Sequence, residues 1–99
     1  LALMQKHAVL VNISRGSVLD EQALIEVLQT RKIFAAGLDV YQQEPLQSSP
    51  LFQLDNVVTL PHIGSATAET RYKMAELAYH NLHTALQGKI PAALVNPQW

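Results

Sequence analysis

The 99-residue chain has no cysteine, which excludes a disulfide-stapled scaffold and any thiolate metal site. Charge is scarce as well: 15% of residues are charged, the formal net charge is −1, and the lysines and arginines are scattered. No electrostatic footprint for nucleic acid or an anionic membrane surface results. No apolar run approaches the roughly 18 residues of a membrane span, and no signal peptide opens the chain. Only four glycines occur, Gly16, Gly37, Gly64 and Gly88, and no two have the G-x-G-x-x-G spacing that cradles a pyrophosphate. An initiating methionine is missing too. The opening "LALMQKHAV" reads as the end of a helix already under way, without an N-cap. A fragment is therefore expected. With 48% hydrophobic residues, the composition is that of a globular, soluble protein, with the cytoplasm as its expected location.

The apolar segments set the architecture. "AVLVN" (8–12) is a short continuous apolar run, the pattern of a strand buried on both faces. "SRGS" breaks it, Asp20 is placed to cap a helix, and Leu24, Val27 and Leu28 recur at helical spacing up to about Thr30. "FAAGLDV" (34–40) predicts a second strand, with Gly37 marking close packing inside a sheet. A loop from Tyr41 to Asn56 follows, and "VVTL" (57–60) predicts a third strand, stopped by Pro61. A long helix is predicted from about Thr67 to Gln87, with Gly88 as its left-handed terminator, and the tail "KIPAALVNPQW" is expected to be mostly extended. Apolar strands alternating with helices indicate an α/β fold with a parallel sheet.

Ligands of such sheets bind at the carboxyl ends of the strands. Asn12 to Arg15, Asp39 to Glu44, and His62 to Ser65 occupy those ends. An arginine, two acids and a histidine thus converge on one edge. Arg15 offers a planar fork of donors suited to a carboxylate or phosphate, or else pairs with a nearby surface acid. Gly16 admits either a tight turn or a close ligand. His62 is placed for proton transfer near neutral pH, the plainer reading being a half-buried imidazole bonded to a carbonyl. Glu44 precedes Pro45, which biases it towards extended backbone. A carboxylate beside a histidine fixes the ring's tautomer. Asp39 either caps the loop after it or accepts a hydrogen bond from a ligand amide; spacing does not separate the two. His80 and His83 lie three apart on the long helix without acidic or thiol partners at suitable spacing, so a solvated helix face is expected there and no metal site.

Three blocks then stand out together: "VNISRGSVLDEQAL", "AAGLDVYQQEPL" and "LPHIGSATAETR". In this order and at this separation they resemble the C-terminal signatures of the D-isomer-specific 2-hydroxyacid dehydrogenases, over nearly the whole chain. Within that family, "HIGSATAETR" and "LVNP" look closest to the glyoxylate/hydroxypyruvate reductase and 2-ketogluconate reductase branch. The resemblance implies the second half of a Rossmann-type nucleotide-binding domain in residues 1–66, with a long helix and tail in 67–99 returning towards a substrate domain. It implies NADP or NAD as cofactor and a small 2-keto acid as substrate. It implies that Arg15 clamps the substrate carboxylate and polarises the 2-keto oxygen, that His62 is the acid/base, and that Glu44 supports His62. Ile13, Ser14, Arg15, Asp39, His62, Gly64 and Ser65 would line the nicotinamide site, with Asp39 on the carboxamide. A homodimer is implied for the full-length protein.

The alternative within the same resemblance is a non-catalytic, cofactor-sensing dimerisation scaffold of the kind seen in the C-terminal binding protein corepressors. Because a substrate domain and the pyrophosphate-binding loop are both missing, the isolated chain is expected to lack turnover. Its uncovered sheet edge and helix face are expected to promote self-association.

Overall fold

Three short parallel strands form the sheet, and each begins where the hydrophobic pattern demands it. β1 (Val9–Asn12), β2 (Ala35–Leu38) and β3 (Val57–Thr59) lie in the spatial order β1-β2-β3. Val9 pairs with Ala35 and Asn12 with Leu38, while Ala36 pairs with Val57 and Leu38 with Thr59. The three carboxyl ends are therefore level with one another. The computed structural model describes residues 1–96. The chain divides into two compact units, Leu1–Gly64 and the segment from Ser65 onward.

In the first unit, α1 (Glu21–Gln29) connects β1 to β2. Asp20 caps it by accepting the Ala23 amide at 3.0 Å, which satisfies one of the amides a helix start leaves unpaired. Arg31, at φ 54, ends it in the left-handed region, the usual way a helix is terminated. Leu24 and Leu28, one turn apart, are fully buried against Ile33, Leu38 and Leu51. Such burial is worth roughly 1.5–3 kcal/mol per side chain. Leu51 comes from a short 3-10 turn (Pro50–Gln53) in the connection to β3, capped by the Ser49 hydroxyl.

Three expectations need correction. Residues 1–8 form two turns, closed by Met4 N–H to Leu1 O and Ala8 N–H to Gln5 O, rather than the end of a helix. The strands are not buried on both faces: Val9, Val11 and Val58 are more than half exposed, because α1 and the 3-10 turn cover one face only. The tail contains a turn, with Leu94 N–H bonded to Pro91 O, and its last three residues lie outside the described ones.

In the second unit, α2 (Ala68–Leu86) starts at Thr67, whose hydroxyl accepts the Thr70 amide. It ends as its glycine predicts. Gly88 adopts φ 70, and the amides of Gly88 and Lys89 reach back to Ala85 O and Thr84 O, a Schellman closure. No described helix is long and apolar enough to cross a membrane.

Candidate active site

The level carboxyl ends of the strands build the site. Beyond β1 the chain turns sharply through Ile13, Ser14 and Arg15. Asn12, only 7% exposed, fastens that turn with its side chain: Nδ2 donates to Arg15 O at 3.0 Å and Oδ1 accepts the Ser14 amide at 3.1 Å. The Arg15 guanidinium donates to Ser14 O at 2.7 Å. Ile13 leaves its side chain 74% exposed at this end.

Gly16 settles the question raised by its position. A Cβ there would lie 1.9 Å from both the carbonyl carbon and the carbonyl oxygen of Tyr41. The glycine is needed because the 41–42 backbone packs directly onto it, not because a ligand does.

Beyond β2, Asp39 is 4% exposed and each of its carboxylate oxygens accepts one loop amide. Oδ1 accepts the Ile63 amide at 2.8 Å and Oδ2 the Gly64 amide at 2.7 Å. Of the two readings left open for Asp39, the carboxylate takes a loop-fastening one. The loop it holds follows β3 rather than β2. Its own amide donates to Asn12 O at 3.0 Å, so the two buried polar residues are joined.

Beyond β3, His62 adopts φ 55, a left-handed conformation that histidine visits more readily than most residues. Its Nδ1 lies 2.6 Å from Glu44 Oε2. An ionised carboxylate can only accept, so Nδ1 carries the proton and Nε2 takes no part in the pair. The second Glu44 oxygen accepts the Tyr41 amide at 3.0 Å. The hydrogen bond from His62 foremost, then the Tyr41 amide and the nearby His62 and Arg15 charges, hold Glu44 below the ordinary value of 4.5. The Glu44–Pro45 peptide bond is cis.

Glu44 and His62 also form one wall of a cavity of about 460 Å³ whose other walls include Leu46, Phe52 and Leu60. A small organic ligand fits a space of that size.

The structure thus brings Arg15, Asp39, Glu44, His62 and Gly64 to one edge, with Ile13 and Ser14 beside them. Ser65 begins the second unit. His83 stacks on Tyr79 at 5.7 Å and contacts Gln87 Nε2. Two contributors were not singled out from the sequence. Asn12 reads as an ordinary strand end, although an asparagine ahead of a Ser-Arg-Gly turn is a side-chain turn signal. Tyr41 is buried, and its hydroxyl lies 3.1 Å from Leu38 O and 2.7 Å from Leu60 O, tying the ends of β2 and β3. Burial above all pushes its phenol up from 10.0. An aromatic two residues beyond Asp39 carries no sequence signal for that tie.

The family described as D-isomer specific 2-hydroxyacid dehydrogenase, NAD binding domain, matches residues 1–64. The chain is 61% identical over 99 residues to a glyoxylate/hydroxypyruvate reductase B of Serratia proteamaculans, covering 99% of this chain and 30% of the relative. Among solved structures, the NADPH-dependent glyoxylate/hydroxypyruvate reductase of Sinorhizobium meliloti, in complex with NADP and malonate, is 42% identical. It superposes with a TM-score of 0.77 over 81% of this chain and 25% of that one. A glyoxylate reductase from Paecilomyes thermophila is 39% identical, with a TM-score of 0.81 over 88% of this chain and 27% of that one. The chain spans about 30% of the length of the curated relatives it matches.

Proposed function

The chain belongs to the D-isomer specific 2-hydroxyacid dehydrogenase family, through its NAD binding domain, and from that premise we propose that it carries the catalytic edge of a 2-keto acid reductase. The reaction is reduction of a small 2-keto acid, of the glyoxylate, hydroxypyruvate or 2-ketogluconate type, to the D-2-hydroxy acid with NADPH or NADH. The observation that carries this reading is the 2.6 Å His62–Glu44 pair standing at the same sheet edge as Arg15.

The residues at this edge suit the nicotinamide end of such a cofactor. Ile13 presents exposed apolar surface there, and Ser14 and Gly64 would complete the lining within the first unit. The pyrophosphate end has no glycine-rich turn to hold it in these 99 residues. When bound, the dinucleotide supplies the hydride, and the protein orients the substrate and handles charge and proton.

Arg15 has a matched fork for the substrate carboxylate and places positive charge near the 2-keto oxygen, where negative charge develops. His62 then delivers the proton. Because Nδ1 is committed to Glu44, transfer takes place at Nε2, from imidazolium to the forming alkoxide, and the reverse reaction returns the proton to the same atom. Glu44 holds the ring in the productive tautomer without touching the substrate. The mature site is completed by chain beyond the present span, including a substrate domain towards which α2 and the tail would return. A homodimer is part of the same proposal.

The direct test is oxidation of NADPH by the full-length protein with glyoxylate and with hydroxypyruvate. His62→Asn is expected to lower kcat by about 10²–10⁴-fold, the range of a lost general acid, while the cofactor Kd stays unchanged. Unaltered turnover in His62→Asn would remove the histidine from the chemistry.

A further inference from the structure

The reductase reading assigns the reacting groups but leaves open what aims them. Apart from the Tyr41 hydroxyl, Asn12 and Asp39 carry the buried polar or charged side chains among the described residues. A buried polar side chain is costly unless fully bonded. These two sit at adjacent strand ends and are bonded to each other through the chain, Asp39 N–H to Asn12 O at 3.0 Å. Each spends its side chain on the backbone of a loop that carries a reacting group.

Resting on the reading above, we propose that Asn12 and Asp39 form a two-part positioning frame, Asn12 for Arg15 and Asp39 for His62. Asn12 grips both sides of the turn, donating to the carbonyl of Arg15 itself and accepting from the amide before it. Asp39 takes the two amides that directly follow His62, at 2.8 and 2.7 Å. Those two bonds hold His62 at φ 55, a conformation that persists in a non-glycine residue only where the surroundings over-determine it. Gly64 belongs to the same device, since a Cβ there would stand 3.0 Å from Asp39 Oδ2. Neither frame residue needs to touch the substrate. Each Asp39 oxygen accepts one amide and keeps a further lone pair, so this role stands beside the carboxamide contact that the family resemblance implies.

The donor and acceptor pattern of the two side chains is complementary, which supplies a near-isosteric test. Asn12→Asp keeps the acceptor for Ser14 but sets an oxygen against the Arg15 carbonyl. Asp39→Asn keeps one acceptor and sets an NH₂ against a loop amide. In the full-length protein, Asn12→Asp is expected to lower kcat/KM for the 2-keto acid by about tenfold, with KM raised and kcat lowered, because the displaced Arg15 both clamps the substrate and stabilises developing charge. Asp39→Asn is expected to lower kcat by about 10²-fold, as a misplaced acid would. A raised NADPH Kd with kcat retained would make Asp39 a cofactor contact and overturn its half of the frame. An unchanged KM in Asn12→Asp would overturn the other half.

Amide exchange on the unmodified protein decides the matter if a variant fails to fold. Ser14, Ile63 and Gly64 are expected to be protected well beyond their exposed loop neighbours, and exchange at open-loop rates would overturn the frame. Exchange is independent of turnover. An inactive wild type with protected amides would therefore count against the reductase reading and not against the frame.

Discussion

His62 and Glu44 show how far one residue pair depends on its setting. The φ of 55 at His62 costs a non-glycine residue of order 1 kcal/mol, and the two Asp39 bonds offset that cost. Glu44 is the group whose ionisation the structure changes, through the His62 hydrogen bond first and the Tyr41 amide second. Its folded value lies below the ordinary 4.5. The ionised form therefore contributes stability at neutral pH, and that contribution is lost as pH falls through the depressed folded value. Comparing urea unfolding of wild type and Glu44→Gln should show a difference at pH 7 that disappears in acid below pH 4.5. A difference that stays constant from pH 7 to pH 3 would contradict the pair. That Arg15, Glu44 and His62 follow strand ends was legible in the sequence, whereas their proposed roles came from the family resemblance and not from their chemistry alone. The roles of Asn12 and Tyr41 were not legible, because they come from burial and from carbonyls and amides that only the folded backbone brings near.

At the scale of elements, periodicity and caps were a sufficient guide to the three strands and two helices. Asp20, Thr67 and Gly88 each close a helix end as their residue types require. The sequence was a poor guide where an apolar run does not report which face is covered. β1 reads as doubly buried, yet Val11 is 66% exposed, since only α1 and one 3-10 turn supply cover in this unit. The short 3-10 turn and the turns of residues 1–8 leave no periodic signal. Gly16 is where two elements meet without room for a side chain, its Cβ position lying 1.9 Å from the Tyr41 carbonyl. Backbone cannot yield as a flexible side chain does. Gly16→Ala is expected to destabilise the fold by about 3 kcal/mol, or roughly 12–24 °C in Tm for a chain of this size. Thermal unfolding followed by circular dichroism measures it, and an unchanged Tm would mean that the 15–16 turn does not pack on residues 41–42.

For the whole molecule, one unit, Leu1–Gly64, holds every reacting group assigned here. The second unit presents α2, on which Tyr72, Leu77, Tyr79, Leu82 and Leu86 are all more than half exposed. Apolar surface of that extent on one helix is characteristic of interfaces rather than of free surface. The chain spans about 30% of the length of its curated relatives. The most direct measurement is product chirality. Full-length protein is incubated with NADPH and hydroxypyruvate, and the glycerate formed is resolved on a chiral column. The expected result is D-glycerate in one-to-one proportion to NADPH consumed, with both signals lost in His62→Asn. L-glycerate, or no consumption of NADPH with any small 2-keto acid, would contradict the assignment.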